Sequence, residues 1–440
     1  MISLVREESR RGFFKTAGKG LAAALWGAAI PGALAWTRRA GGTDLPFPRP
    51  ESDSGAVAAD EGFWRMVRAQ FPLTRDRVYF NNGGLGPSPY PVIQAVEEAT
   101  RRLEVLSETG HEELEAVRQR AAAFLGCLPE EIGFTRNTTE GMNLIARGLP
   151  LRAGDEVLMS THEHVGGAMP WLALMKEKGI RIRLFEPALR AEENLETIER
   201  HLTARTRVVS ICHMTCTVGT VFPVKEVARL CRERGIWCVI DGAHPPGQMP
   251  VDLHDLECDF YATSGHKWLL GPKGTGILYI RRAMHDIWKP PFVGAHSDAA
   301  YDLDGLHLEY LREARCVEYG TRNVALVLGL GAAIDFLSMI GMERVEARDR
   351  FLAGRLLELL EEVPEVEILT PREERSRCGI VAFRPLRKPT REVLEQLARL
   401  GFRVRPVGEH RLDAIRVSCH IYTQRDEVER FAYELRKVVG

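Results

Sequence analysis

Two apolar runs, "RVVSICHM" (207–214) and "WCVIDGAH" (237–244), flank "KEVARLCRERG", which has helical apolar spacing and stops at Gly235. A strand that alternates apolar and polar residues can face water on one side, whereas a run this continuous must be covered on both. A helix between two such runs carries the chain back over the sheet, so the strands pair in parallel as a βαβ unit. The pattern recurs upstream, where "EELEAVRQRAAAFLG" (112–126) is helical, "IGFT" (132–135) is a strand and "TEGMNLIARGL" (139–149) is helical again. From residue 324 a long helical stretch leads into "GIVAFRP", "REVLEQLARLG", "FRVRP", "AIRVSCH" and "DEVERFAYELRKVV", the pattern of a smaller α+β domain. The expectation is an α/β protein with a mainly parallel large domain over residues 63–323, counted together with its N-terminal segment, and a small C-terminal domain over 324–440.

The first 62 residues stand outside that pattern. Arg10 and Arg11 precede Phe13, Phe14 and Lys15, an apolar stretch at 21–30 and the small-residue site Ala33-Leu34-Ala35. That order resembles a bacterial twin-arginine export signal over 1–35, implying export of the folded chain through the twin-arginine translocase to the periplasm or beyond. Residues 36–62, rich in Gly, Pro, Ser and charge, read as a linker. Net charge is −1 with no long basic run, which argues against nucleic acid and for a small-molecule partner. The nine cysteines contain no CxxC pair and mostly sit in apolar surroundings, so they read as core residues; no disulfide framework and no metal site is expected.

Ligands of open parallel sheets bind beyond the carboxyl ends of the strands. Asp241 ends "WCVI", Lys267 of "SGHKWLLGPKG" follows "DFYAT", and "TRNTTE" ends a strand where a helix begins. "STHEHVGGAMPW", with His164, closes another strand in the same way. Pyridoxal 5'-phosphate (PLP) needs a lysine for its aldehyde, a carboxylate for its pyridine nitrogen, an anion cradle and a flat group against its ring. Lys267, Asp241 and His164 suit the first, second and last of these. Thr138, Thr139, Ser264 and His266 suit the phosphate, which a helix N-terminus favours.

On "YFNNGGLGPSP", "TRNTTEGMNL", "HEHVGGAMPW", "VIDGAHPPGQMPVDL", "SGHKWLLGPKGTG", "YGTRN" and "RVSCHIYTQRDEVERF", the sequence resembles the class V aminotransferases. These fold-type I PLP enzymes include cysteine desulfurases and isopenicillin N epimerase-like proteins. The resemblance implies a seven-stranded-type large domain, Lys267 as the Schiff-base lysine, Asp241 on the pyridine nitrogen, His164 stacked on the ring and His244 near the phenolic oxygen. It further implies a homodimer with shared sites in which Thr321 reaches the neighbouring subunit's phosphate. Arg416, with Arg405 as a second candidate and Asn82 beside them, would bind an amino-acid substrate. Desulfurases of this kind place a nucleophilic cysteine a few residues after the position of Arg405; here His410 stands there, Cys419 is a poor substitute, and Cys216 replaces a polar residue. The expected activity is therefore aminotransferase or epimerase-like, with a desulfurase or C–S lyase as the alternative and a non-catalytic PLP-binding protein as a third reading.

Overall fold

The computed structural model describes residues 54–440, so the twin-arginine segment and most of the expected linker lie outside the described residues. The central sheet has seven strands: β1 Ile132–Thr135, β2 Glu156–Ser160, β3 Arg181–Phe185, β4 Thr206–Cys212, β5 Trp237–Asp241, β6 Phe260–Ser264 and β7 Gly276–Ile280. Their spatial order is β1-β7-β6-β5-β4-β2-β3. β2 to β6 pair in parallel, and β7 runs antiparallel to both β6 and β1. Along the central strands successive residues alternate between two cores, as the twofold period of a strand requires. Leu158, Val209, Ile211, Cys238, Ile240 and Tyr261 join the core on one face. Val157, Met159, Val208, Val239, Phe260 and Ala262 join that on the other. Both faces are dry, which is why the strands read as continuous apolar runs.

The second core surrounds an antiparallel sheet of β8 Val366–Ile368, β9 Ile380–Pro385, β10 Arg405–Val407 and β11 Ala414–Ser418, in the order β8-β9-β11-β10. The division expected at 323/324 does not follow the packing. Val324–Ile340 packs on Tyr90–Leu106 and Leu114–Leu125 and places Leu330, Ile334 and Leu337 in the large core. Conversely, Val78–Tyr79 pairs in parallel with Phe402–Arg403, and Phe80 joins the small core, so this N-terminal stretch belongs with the C-terminal sheet. The expected linker also ends early: Ser54–Ala58 is a helix with Val57 buried, and Asp60 caps the next helix, Glu61–Arg68. Those helices are too short to show an apolar period in the sequence. Among the described residues no single helix is long and apolar enough to cross a membrane.

One buried ion pair fixes the strand that delivers the expected phosphate cradle. Arg118 and Glu318 are 3% and 5% exposed, and the guanidinium donates to both carboxylate oxygens at 2.6 and 2.9 Å. Arg118 also donates to Ile132 O at 2.7 Å, and Phe134 N–H donates to Glu318 Oε1 at 2.7 Å, so both members of the pair hold the outer edge of β1. Removing Glu318 leaves the buried Arg118 with only the half-exposed Glu115, which accepts from its Nε at 3.1 Å, so the loss falls at the lower end of the about 3–5 kcal/mol that breaking a buried pair costs. Glu318→Ala should lose that much stability in urea unfolding; a loss below about 1 kcal/mol would show that the pair does not hold β1.

Candidate active site

The carboxyl ends of β1, β2, β5 and β6 meet at one cavity of about 290 Å³, lined among others by Thr138, Thr139, His164, Cys216, Asp241, His244, His266, Lys267, Arg405 and Arg416. Nine of the residues predicted from the sequence are thereby brought together. Lys267 lies in the connection from β6 to β7, where Gly265 N–H donates to Thr275 O and Gly271 N–H to Gly265 O, both at 2.8 Å, closing a tight loop. Burial pushes the Lys267 ammonium below the usual lysine range, while Asp241 pulls it back up. Asp241 is 4% exposed and its carboxyl is raised by burial, against the lowering effect of Lys267. Its Oδ1 accepts from Ala243 N–H at 3.0 Å, and its Oδ2 faces Gly167.

The helix Val165–Lys178 approaches this carboxylate because Gly166 and Gly167 in its first turn have no side chains. A Cβ on Gly166 would sit 2.3 Å from Thr139 Oγ1, and one on Gly167 2.8 Å from Asp241 Oδ2. His164 caps that helix, with Nδ1 accepting from Gly166 N–H at 3.1 Å. Burial, then the Lys267 charge, drives His164 down to about 4, so the ring facing the cavity is neutral. His244 is held neutral too, well below the usual histidine range, by burial and Lys267. Trp268 Nε1–H donates to His244 Nδ1 at 3.0 Å, which leaves the proton on Nε2, 3.4 Å from Lys267 Nζ.

At the cradle, Asn137 caps the helix Thr138–Gly148 by accepting from Glu140 N–H at 2.9 Å. Ser264 Oγ accepts from Thr138 N–H at 3.1 Å and shares a 2.7 Å hydrogen bond with Thr138 Oγ1. Ser264 thus shapes the cradle from its edge, and His266 lines it with a buried Nδ1 that has no hydrogen-bond partner. At the other end of the cavity, Arg416 is 1% exposed. It donates to Cys216 O at 2.6 Å and to Asn81 Oδ1 at 3.1 Å, and its Nε is unpartnered. Burial, then the neighbouring Arg405, lowers it to about 10. Arg405 is paired with Glu409, so among the described residues Arg416 is the arginine of this end left without a carboxylate.

Two predicted residues fall elsewhere. Asn82 is fully buried, accepts from Tyr422 O–H at 3.1 Å and does not line the cavity; its neighbour Asn81, which bridges to Ser418, is the one that touches Arg416. Thr321 is exposed and outside the cavity; its expected contact is with a second subunit. The sequence reading also passed over Glu163, which accepts from Ser160 O–H at 2.6 Å and Cys212 N–H at 3.1 Å. Burial, reinforced by nearby Asp241, raises its carboxyl to about 8, so it stays protonated at neutral pH and does not add to the Asp241 charge.

These residues fit PLP. A helix N-terminus with hydroxyls takes the phosphate, a buried carboxylate takes the pyridine nitrogen, a neutral ring offers a flat face, and an amine whose charged form burial disfavours meets the aldehyde. Borohydride reduction of the loaded protein should fix the cofactor on Lys267 in peptide mapping; label on any other lysine would refute the assignment.

The sequence matches the aminotransferase class-V family over residues 78–431. It is 31% identical over 393 residues, 85% of this chain and 97% of the relative, to a protein of Pyrococcus abyssi named probable cysteine desulfurase. The fold is similar to the apo cysteine desulfurase of Thermococcus onnurineus NA1, with a TM-score of 0.78 and 30% identity over 85% of this chain and 97% of that one. It is also similar, with a TM-score of 0.78 and 27% identity over 83% of this chain and 99% of the other, to the cystine C-S lyase C-DES in complex with its reaction product cysteine persulfide. With this likeness spanning the whole cavity, the chain belongs to the class-V aminotransferase family and is a PLP-dependent enzyme of fold type I.

Proposed function

We propose that the protein is a PLP-dependent lyase that cleaves the carbon–sulfur bond of a sulfur-containing amino acid and releases the sulfur in a small-molecule product. The observation that carries this reading is the loop between β10 and β11. It borders the cavity through Arg405, whose partner is Glu409, and presents His410, with no cysteine between 405 and 413. Among the described residues, Cys216 is the one cysteine lining the cavity; it is 4% exposed and its thiol is raised by burial. Cys419 is fully buried, outside the lining, and its thiol is raised by the same cause. A protein persulfide needs an accessible thiolate, and neither residue supplies one.

The names of the relatives support sulfur chemistry over the transamination or epimerisation expected from the sequence. The missing loop thiol counts against a desulfurase without counting against a C–S lyase.

PLP, when bound, supplies an electron sink for the charge that develops at the substrate's α-carbon. Arg416 binds the α-carboxylate, and its lack of a carboxylate partner makes that binding charge-completing. Asp241 keeps the proton on the pyridine nitrogen, and His164 covers one side of the site with a neutral ring. Lys267 takes the α-proton at Nζ, which burial favours by destabilising its charged form. The electrons of the broken C–H bond form a carbon–carbon double bond as the C–S bond breaks and sulfur leaves with its electron pair. The freed unsaturated amine hydrolyses, so cystine and water give pyruvate, ammonium and cysteine persulfide. Mass spectrometry of reactions with L-cystine and L-cysteine should show pyruvate and ammonium in equal amounts, with persulfide from cystine. Alanine with a protein-bound persulfide, or conversion of the amino acid to a keto acid or epimer with both of cystine's C–S bonds intact, would overturn the reading.

A further inference from the structure

Beside the mouth of the cavity stands a cluster that the proposed reaction does not use. His162 follows β2, Glu186 follows β3, and His410 lies in the loop between β10 and β11. His162 Nε2 is 3.3 Å from Glu186 Oε1, and His410 Nε2 is 2.9 Å from Glu186 Oε2. One nitrogen or oxygen from each of the three lies within 4.8 Å of the others. Ligand atoms bound at ~2.0–2.2 Å to a tetrahedral Zn²⁺ stand about 3.3 Å from one another; the two short contacts use different oxygens of Glu186, so with one oxygen as ligand one edge is near that length and the others close from within 4.8 Å.

A second observation points to a ligand. His162 is 6% exposed, and its Nε2 is buried without a hydrogen-bond partner, because the approach to Glu186 lacks hydrogen-bond geometry. Its Nδ1 is hydrogen-bonded to Thr217 Oγ1 at 2.9 Å. With the hydroxyl accepting, the proton stays on Nδ1 and the Nε2 lone pair is aimed into the cluster. Outer partners of this kind orient metal-bound histidines.

We propose that His162, Glu186 and His410 bind one divalent transition-metal ion, Zn²⁺ by preference, through two imidazole nitrogens and a carboxylate, with a fourth position open to water or a small ligand. Imidazole with one carboxylate suits Zn²⁺ better than the hard cations, which prefer all-oxygen shells. The ion ties the 405–413 loop to the ends of β2 and β3. Glu409 of that loop pairs with Arg405, which lines the cavity, so the metal sets the position of the cavity's mouth. The sequence shows no zinc spacing because each ligand comes from a different, distant segment. The site stands on these residues alone and does not depend on which amino acid the enzyme cleaves.

The test uses untagged, PLP-loaded protein stripped with a chelator, titrated with Zn²⁺ against a competing chelator dye and separately with Co²⁺ read in the visible spectrum. One Zn²⁺ per chain is expected, with Co²⁺ giving the intense bands of a four-coordinate site. The side chains of Glu186 and His410 are 60% and 41% exposed, so Glu186→Gln and His410→Ala should fold normally. Each should weaken Zn²⁺ binding by at least about 100-fold, and Thr217→Val, which removes only the orienting hydroxyl, by about 10- to 100-fold. Binding of less than one Zn²⁺ per chain, or affinity unchanged in Glu186→Gln and His410→Ala, overturns the proposal.

Discussion

Arg416 is a buried guanidinium on the cavity wall that pairs with no carboxylate among the described residues, and the cavity is organised around that deficit. A buried charge is tolerated when its field is completed by a partner and its donors are spent. Cys216 O and Asn81 Oδ1 take two of the Arg416 donors without neutralising it. Arg405, the other arginine of this end, is answered by Glu409. The open charge of Arg416 therefore selects an anion, and the amine it must present to the cofactor fixes the rest of the ligand as an α-amino acid.

Lys267 and Asp241 extend the same logic across the cavity. Each is buried, each is pushed by burial toward its neutral form, and each lessens that push on the other. Their positions depend on a hydrogen-bonded path from the small domain. The fully buried pair of Asp349 and His420 places His420 Nε2 against Trp268 O at 3.1 Å. Trp268 in turn donates to His244 Nδ1, whose other nitrogen faces Lys267. The two cores thus meet at the residue next to the lysine, and the small domain sets both ends of the substrate site, through Trp268 and through Arg416.

The sequence exposed what periodicity and strand ends can carry. Continuous apolar runs identified the parallel strands because both sheet faces are buried, and the polar residues ending them identified Asp241, Lys267, His164 and the Thr138–Thr139 cradle. It named Asn82 where the neighbouring Asn81 touches Arg416, since identical neighbours differ only in which meets that guanidinium, and that follows from the bridge of Asn81 to Ser418. The boundary at 324 misled because an apolar helix packs equally well, as far as composition tells, on either core. Glu163, and the cluster of His162, Glu186 and His410, were hidden for a related reason. Their meaning lies in contacts between segments that the chain separates.

The central claim is that Arg416 anchors the carboxylate of an amino acid whose α-proton Lys267 removes. Its most direct measurement is the exchange of the α-proton of L-alanine, which has no sulfur to lose, followed by proton NMR in D₂O with PLP-loaded protein. The account predicts exchange in the wild type and none in Lys267→Ala. In Arg416→Ala it predicts retained cofactor and an alanine affinity lower by about 2–5 kcal/mol, roughly 30-fold or more. Unchanged affinity in Arg416→Ala would contradict the account and move the carboxylate site to Arg405.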